Sequence, residues 1–166
     1  MSFKTILVPT DFSENAQVAF EVACDLALRL GAKLQVLHVQ DESALRIAIK
    51  EGLLQGCSTD EECQAAVERL TEERFSRMFA AKDCSNVAVG HAARRGDSDY
   101  VITAYASEIN AGMIVIGRRG ASLMKGIISA VVGSVAESVI AKSPCPVLVV
   151  RRDHKLTDGT ASEQVL

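Results

Sequence analysis

A glycine-rich segment late in the chain contains residue types that could bind a phosphate group. Two residues separate Gly117 from Gly120, and Gly133 and Ser134 follow Gly120 after an interval of twelve residues. Glycines let a backbone approach a ligand closely, and the amides and dipole at the start of a helix attract an anion. The segment therefore predicts a phosphate site.

Side chains in and beside this segment suit a nucleotide. Arg118, Arg119 and Lys125 could balance the negative charges of a triphosphate. The Ser134 hydroxyl could donate to a phosphate oxygen or ligate Mg²⁺ brought by ATP, and no metal site made by the protein alone is predicted. The chain lacks both GxxxxGK[ST] and the GxGxxG spacing, which argues against a kinase-like or dehydrogenase function.

Two earlier positions could complete a nucleotide site. Asp11 follows the first predicted strand, and Val39 ends the second. Doubly wound sheets bind ligands at the carboxyl ends of their strands, where a carboxylate can accept hydrogen bonds from ribose hydroxyls. We expect Asp11 to contact a ribose and the Val39 backbone to contact a base.

The elements that must position these residues follow from hydrophobic periodicity. Apolar runs predict strands over residues 6–9, 33–39, 86–94, 113–116 and 147–150. Helical periodicity predicts helices over about 13–30, two within 43–81, one from about 97 to 109 and one over 134–142. The last part of 43–81 shows its better apolar face at Cys63, Val67, Leu70, Arg74 and Met78. This order predicts an α/β fold with an open, doubly wound, mainly parallel five-stranded sheet and helices on both faces, of Rossmann-like type.

Bulk composition excludes several classes of function. The 166 residues carry 18 basic and 21 acidic side chains, a net charge of −3, so no electrostatic footprint for nucleic acid or an anionic membrane is present. Five cysteines with irregular spacing predict neither a disulfide framework nor a zinc site. The short apolar run at the N-terminus fits neither a signal peptide nor a membrane span, so we expect a cytoplasmic protein. Residues 1–152 are expected to form one domain and 153–166 a disordered tail.

The chain resembles the universal stress protein family. The resemblance rests on VPTDFSENA after the first strand, LHVQDE after the second, IVIGRRG after the fourth and GSVAESVIAKSPCPVLVV at the end, and it covers about residues 3–151. It implies an adenine nucleotide hydrolase-like fold that binds ATP, ADP or AMP, and a homodimer paired through the last strand. The site residues that it implies are Pro9, Thr10, Asp11, Val39, Ile116, Gly117, Arg119, Gly120, Gly133, Ser134 and Val135.

This chain departs from the family pattern at one point. Nucleotide-binding members carry G-x2-G-x9-G-[ST], whereas twelve residues separate Gly120 from Gly133 here. Strict counting would place Ala130 and Val131 at the last two positions of the motif. The alignment on Gly133 and Ser134 follows the downstream sequence, and a loop could absorb three extra residues.

Structural roles are open alternatives for the same residues. The glycines could serve turns and helix caps alone, while Asp11 and Ser134 could each cap the helix that follows. His38 is expected to be a packed, hydrogen-bonded residue without a catalytic role. For the whole protein, a nucleotide-binding regulatory module is the leading interpretation; a weak ATP hydrolase and a dimeric scaffold without nucleotide are the alternatives.

Overall fold

A computed structural model describes residues 3–40, 59–118 and 133–151. The strands are β1 (Thr5–Thr10), β2 (Lys33–Gln40), β3 (Val89–Arg95), β4 (Met113–Gly117) and β5 (Val147–Val150). The helices are α1 (Glu14–Leu30), α2 (Asp60–Ala80), α3 (Ser98–Glu108) and α4 (Ser134–Lys142). The described elements alternate between strand and helix, as an α/β fold requires.

The five strands form one parallel sheet in the order β3-β2-β1-β4-β5. The chain moves outward from β1 through β2 to β3, then returns to the other side of β1 with β4. This reversal makes the carboxyl ends of β1 and β4 the topological switch point, where doubly wound folds bind their ligands. The predicted fold is confirmed.

Helices cover the sheet on both faces and divide the core in two. On one face, Phe20 of α1 and Phe75 of α2 pack against Ile6, Val8 and Val36. On the other face, α3 and α4 pack against Leu7, Leu37 and Ile114. Successive strand residues point to opposite faces, so β1 contributes to both cores, and all six of its residues are buried.

Most predicted elements agree with the structure to within a residue or two. The strand predicted from residue 86 begins three residues later, at Val89, because the Val87 amide donates to the Cys84 carbonyl in a turn. The apolar face predicted for α2 is partly wrong: Leu70 is 45% exposed, while Phe75 is 1% exposed. The helix predicted before residue 58 and the tail 153–166 lie outside the described residues.

The expectation that the cysteines form no disulfide is wrong. Cys24 and Cys84, which are separated by 60 residues, are joined by a disulfide. Cys24 lies in α1, and Cys84 lies in the connection between α2 and β3. Their spacing carries no signal in the sequence, because only the folded packing of α1 against α2 brings them together.

Candidate functional site

The candidate site lies at the switch point, where β1 and β4 are neighbours. Asp11 directly follows β1, and Arg118 directly follows β4. The helices that continue from these strands pack on opposite faces of the sheet, α1 with one core and α4 with the other. In doubly wound folds, connections that diverge in this way leave a crevice between their starting points.

Local hydrogen bonds shape the turn between β1 and α1. The Thr10 hydroxyl accepts from the Phe12 amide at 2.9 Å, and the Asp11 carboxylate accepts from the Ser13 amide at 3.0 Å. Ser13 is the N-cap of α1, with its hydroxyl accepting from the Ala16 amide. The cap is therefore Ser13, and the carboxylate of Asp11 braces that cap from an exposed position at the sheet edge.

Phe12 occupies an unusual backbone conformation within this turn. Its φ of 61° lies in the left-handed region that bulky residues rarely adopt. The ring packs against His38, with centroids 4.6 Å apart, and against Phe75 at 5.1 Å. The Arg74 guanidinium lies over the same ring at 5.8 Å. These contacts hold the turn that carries Asp11, and no sequence signal marked Phe12 for this role.

His38 connects the end of β2 to the end of β1. Its Nδ1–H donates to the Thr10 carbonyl at 2.9 Å. Burial lowers the pKa of His38, the Thr10 carbonyl raises it, and the positive charge of Arg74 lowers it again. The net shift is downward, which favours the neutral ring with its proton on Nδ1. His38 is half-buried and hydrogen-bonded, as the sequence predicts, and it braces a residue of the candidate site.

Val39 lies one residue beyond the end of the β1–β2 ladder. The last paired residues of that ladder are Thr10 and His38, whereas Val39 pairs with Arg94 of β3 on its other side. The Val39 side chain packs against the second core. Its backbone on the β1 side therefore lies outside the ladder, next to the crevice, where the predicted contact with a base would occur.

Gly117 ends β4 against the first turn of α1. A Cβ atom at this position would lie 2.8 Å from the Asn15 carbonyl oxygen and 2.9 Å from its carbon. Neither backbone atom can give way without moving the helix, so close packing of strand and helix requires glycine here. This steric role explains Gly117 without a ligand, while its neighbour Ile116 is buried in the second core.

Backbone hydrogen bonds bring the start of α4 to the end of β4. The Arg118 amide donates to the Val150 carbonyl, and the Gly133 amide donates to the Arg118 carbonyl, both at 2.8 Å. Arg118 and Gly133 therefore hold together the two ends of the segment between them. Arg119, Gly120 and Lys125 belong to that segment and lie outside the described residues.

The start of α4 presents its amides without a side-chain cap. Gly133 is the N-cap, with φ −67° and ψ 148°, and it supplies no capping side chain. Ser134 is the first helical residue, so the alternative of Ser134 as N-cap is wrong. Both Ser134 and Val135 are exposed, while Ala136 and Val139 anchor the helix in the core. First-turn amides that receive no hydrogen bond from an N-cap side chain, together with the helix dipole, favour an anion at this end.

A charged pair joins α4 to α3. Asp99 accepts a hydrogen bond from Lys142 at 2.6 Å and another from Ser138 at 2.5 Å. The Lys142 hydrogen bond, followed by that of Ser138, lowers the pKa of Asp99 to about 2. The pair helps to position the helix whose first turn belongs to the candidate site.

Replacing Asp99 is expected to change how stability depends on pH. Because the folded pKa of Asp99 is depressed from 3.8 to about 2, its stabilising contribution is present above pH 4 and is lost as the pH falls toward 2. Asp99→Asn should lower the urea midpoint at pH 6, and the difference from wild type should narrow by pH 3. The control is Asp97→Asn, because Asp97 makes no side-chain capping hydrogen bond. A difference that stays constant across this range would contradict the assignment.

Among the described residues, no cluster of three or more histidine, cysteine, aspartate or glutamate side chains could hold a metal ion. The described part of the crevice offers groups that can bind a ligand: an exposed carboxylate at the end of β1 and, at the start of α4, amides without a capping side chain. The two groups match a ligand with hydroxyls and an anionic group.

Known proteins that resemble this chain in sequence and in structure belong to one family. The sequence pattern of the universal stress protein family matches residues 2–151. Universal stress protein MJ0577 of Methanocaldococcus jannaschii is 31% identical over an alignment of 168 positions, which covers 92% of this chain and 97% of that protein. A solved structure of MJ0577 has a TM-score of 0.73 at 26% identity and covers 93% of this chain and 100% of its own.

Two further solved structures share the fold and contain adenine nucleotides. One is a universal stress protein in complex with cAMP, with 22% identity, a TM-score of 0.58 and coverage of 91% of this chain and 98% of that chain. The other is the universal stress protein from Archaeoglobus fulgidus in complex with dAMP, with 23% identity, a TM-score of 0.55 and coverage of 90% and 98%. Together with the family match over nearly the whole sequence, the fold leads to one conclusion: this chain belongs to the universal stress protein family.

Proposed function

We propose that this protein binds an adenine nucleotide, ATP or its lower phosphates, in the crevice between β1 and β4. One observation carries the proposal: hydrogen bonds through Arg118 place the uncapped start of α4 beside the end of β4, at the switch point that also holds Asp11. An anionic phosphate suits the start of α4, and a ribose suits the Asp11 carboxylate.

Each predicted residue has a role in this proposal. The first-turn amides after Gly133 and the hydroxyl of Ser134 receive the phosphates, and Arg119 and Gly120, outside the described residues, are further proposed phosphate contacts. Asp11 accepts from the ribose, and Val39 contacts the base. Pro9, Thr10, Ile116, Gly117 and Val135 line the crevice. Mg²⁺ accompanies a triphosphate, with Ser134 as its expected protein ligand. The cAMP and dAMP complexes of related folds support an adenine nucleotide.

The protein acts as a binding module in this proposal. Catalysis of acyl or phosphoryl transfer needs a nucleophile or a water held by a base, and the described part of the crevice shows neither arrangement. Nucleotide occupancy would instead be read by a partner protein. Slow ATP hydrolysis is the second candidate, since Asp11 could orient a water molecule; turnover above background that is lost in Asp11→Asn would favour it.

A homodimer and a cytoplasmic location complete the proposal. β5 is an edge strand of the sheet, and its Leu148 is 38% exposed, so a second copy could cover this edge. Sedimentation equilibrium tests the pairing, and a monomer at every concentration would contradict it.

No described helix is both long and apolar enough to span a membrane. The family domain is proposed to end near residue 152, and a nucleic acid is not among the expected ligands.

A side chain at Gly133 is expected to weaken nucleotide binding strongly. The φ and ψ of Gly133 lie in the extended region, which valine tolerates, so Gly133→Val adds bulk at the phosphate position without backbone strain. In isothermal titration with ATP and Mg²⁺, we expect micromolar binding by the wild type and at least a tenfold weaker affinity for the variant, a loss of about 1.4 kcal/mol or more.

Ala141→Val is the matched control for this titration. Ala141 is an exposed residue near the other end of α4, so the substitution places the same valine side chain on the same helix, far from the crevice. It should bind ATP like the wild type. A folded, nucleotide-free wild type that gives no heat would contradict nucleotide binding and favour the scaffold alternative.

A further inference from the structure

The Cys24–Cys84 disulfide joins two segments that other contacts already hold together. It connects α1 to the chain that follows α2. Lys82 and Asp25, on the same two segments, form an ion pair at 2.9 Å. The rings of Phe20 and Phe79 pack 5.5 Å apart across the same interface. Because these contacts do not depend on the disulfide, breaking it would leave the two sulfurs near each other and able to pair again.

The two cysteines differ in their access to solvent. Cys24 is 2% exposed and belongs to the core beneath α1. Cys84 is half-buried and lines an open groove of about 480 Å³. A groove of this volume falls in the range that accommodates small molecules. A reagent in solution therefore reaches Cys84 more readily than Cys24.

The polar side of the groove is negatively charged. Lys82 and Asp83 line it together with Cys84. The Lys82 ammonium interacts with both Asp25 and Asp83, and one ammonium with two carboxylates leaves a net charge of −1 at this side of the groove. Hydrogen bonds from Ser85, led by its backbone amide at 3.0 Å, lower the pKa of Asp83 and keep it ionised. A reagent that carries a positive amine is thus favoured over a neutral one of the same size.

We propose that the Cys24–Cys84 disulfide is a reversible thiol–disulfide exchange site, which a small cationic aminothiol reaches through the groove and attacks at Cys84. Thiolate attack forms a sulfur–sulfur bond to Cys84 and breaks the bond to Cys24, which leaves with the electron pair and takes a proton from water. A second aminothiol attacks the aminothiol sulfur of the mixed disulfide and releases Cys84 as a thiolate. Two aminothiols are oxidised to one small disulfide, and the protein disulfide is reduced to two thiols.

Exchange with cysteamine tests the site on the oxidised full-length chain. After acid quenching, peptide mapping by mass spectrometry should find a transient cysteamine adduct on Cys84 and none on Cys24. The rate at which this adduct forms should not change in urea below the unfolding transition, because the native groove already exposes Cys84. Cys84→Ser should abolish this adduct, and Cys145→Ser, which removes a half-buried free thiol, should leave the adduct and its rate unchanged.

A second variant tests the charge preference. Both thiols attack as thiolates, and only cysteamine also carries an ammonium group. Asp83→Asn should therefore lower the ratio of the cysteamine rate to the 2-mercaptoethanol rate by about two- to threefold, the size expected for one charge acting across water at several ångströms. Equal effects on both thiols would overturn the preference for a cationic thiol. Adducts on Cys24, a rate that rises with urea in step with global unfolding, or failure of the purified chain to form the disulfide under oxidising conditions would overturn the exchange site.

Discussion

Reduction of the Cys24–Cys84 disulfide is expected to lower the free energy of unfolding by about 4 kcal/mol. The bond closes a loop of 60 residues, and closing a loop of this length removes entropy from the unfolded chain that the reduced protein regains. The folded state should change little, because the Lys82–Asp25 ion pair and the Phe20–Phe79 contact remain. Urea unfolding followed by circular dichroism, with and without a phosphine reductant, measures the difference.

The double variant Cys24→Ala/Cys84→Ala separates the bond from other effects of the reductant. Its unfolding midpoint should be the same with and without reductant and should lie near that of the reduced wild type. The unfolded state of the oxidised wild type is more compact than that of the reduced protein. The free energy of unfolding of the oxidised wild type should therefore fall less steeply with urea concentration. Equal midpoints for oxidised and reduced wild type would show that the bond adds no stability.

This disulfide also bears on where the protein works. Disulfides in a reducing cytoplasm are usually transient or redox-sensing, whereas those in oxidising compartments are structural. A cytoplasmic location, as proposed, therefore fits a bond that exchanges with small thiols better than a permanent crosslink. The two measurements are complementary: the exchange rate reports access to Cys84, and the urea midpoint reports the contribution of the bond to stability.

The fold could be predicted from the sequence because its strands are short apolar runs, and the central strands β1 and β4 are buried on both faces. Continuous apolar runs such as 147–150 and 113–116 are typical of strands in a parallel sheet, and α1 shows a regular apolar stripe that ends at Gly31. The weakest prediction concerned α2. Its apolar face is narrow and includes Thr71, so periodicity assigned Leu70 to the core and overlooked Phe75.

The candidate site was predictable in its residue types and less so in their physical roles. Asp11 and Gly133 lie at the expected strand and helix ends, because the α/β order alone determines which ends meet. The steric demand on Gly117 is invisible in the sequence, since it comes from the Asn15 backbone on another element. The left-handed conformation of Phe12 is equally unmarked, because bulky residues rarely adopt it.

The contacts around Phe12 suggest that α2 supports the site from outside it. Phe75 is almost fully buried and touches Phe12 on one side, with centroids 5.1 Å apart, and His91 on the other at 4.5 Å. Phe12 in turn packs against His38, which donates to the Thr10 carbonyl. A chain of ring contacts therefore runs from the core of α2 to the turn that carries Asp11.

Phe75→Ala is expected to lower the free energy of unfolding by about 3–5 kcal/mol. The ring is 1% exposed, so its removal forfeits the transfer free energy of a large aromatic side chain and leaves a cavity between α2 and the sheet. Urea unfolding measures this loss. Phe75→Leu is the matched control, because leucine refills most of the volume and should be much less destabilising. A loss for Phe75→Ala no larger than that for Phe75→Leu would contradict the role of the ring in filling this core.

The Phe75→Leu variant also shows whether the ring supports the nucleotide site. If Phe75 holds Phe12 and through it the Asp11 turn, Phe75→Leu should remain folded at room temperature and yet bind ATP more weakly than the wild type, because leucine lacks the edge-to-face contact with Phe12. Titration of Phe75→Leu with ATP beside Ala141→Val compares the ATP affinities of two folded variants. Unchanged affinity in Phe75→Leu would confine the aromatic contacts to stability and leave the conformation of the Asp11 turn to its own hydrogen bonds.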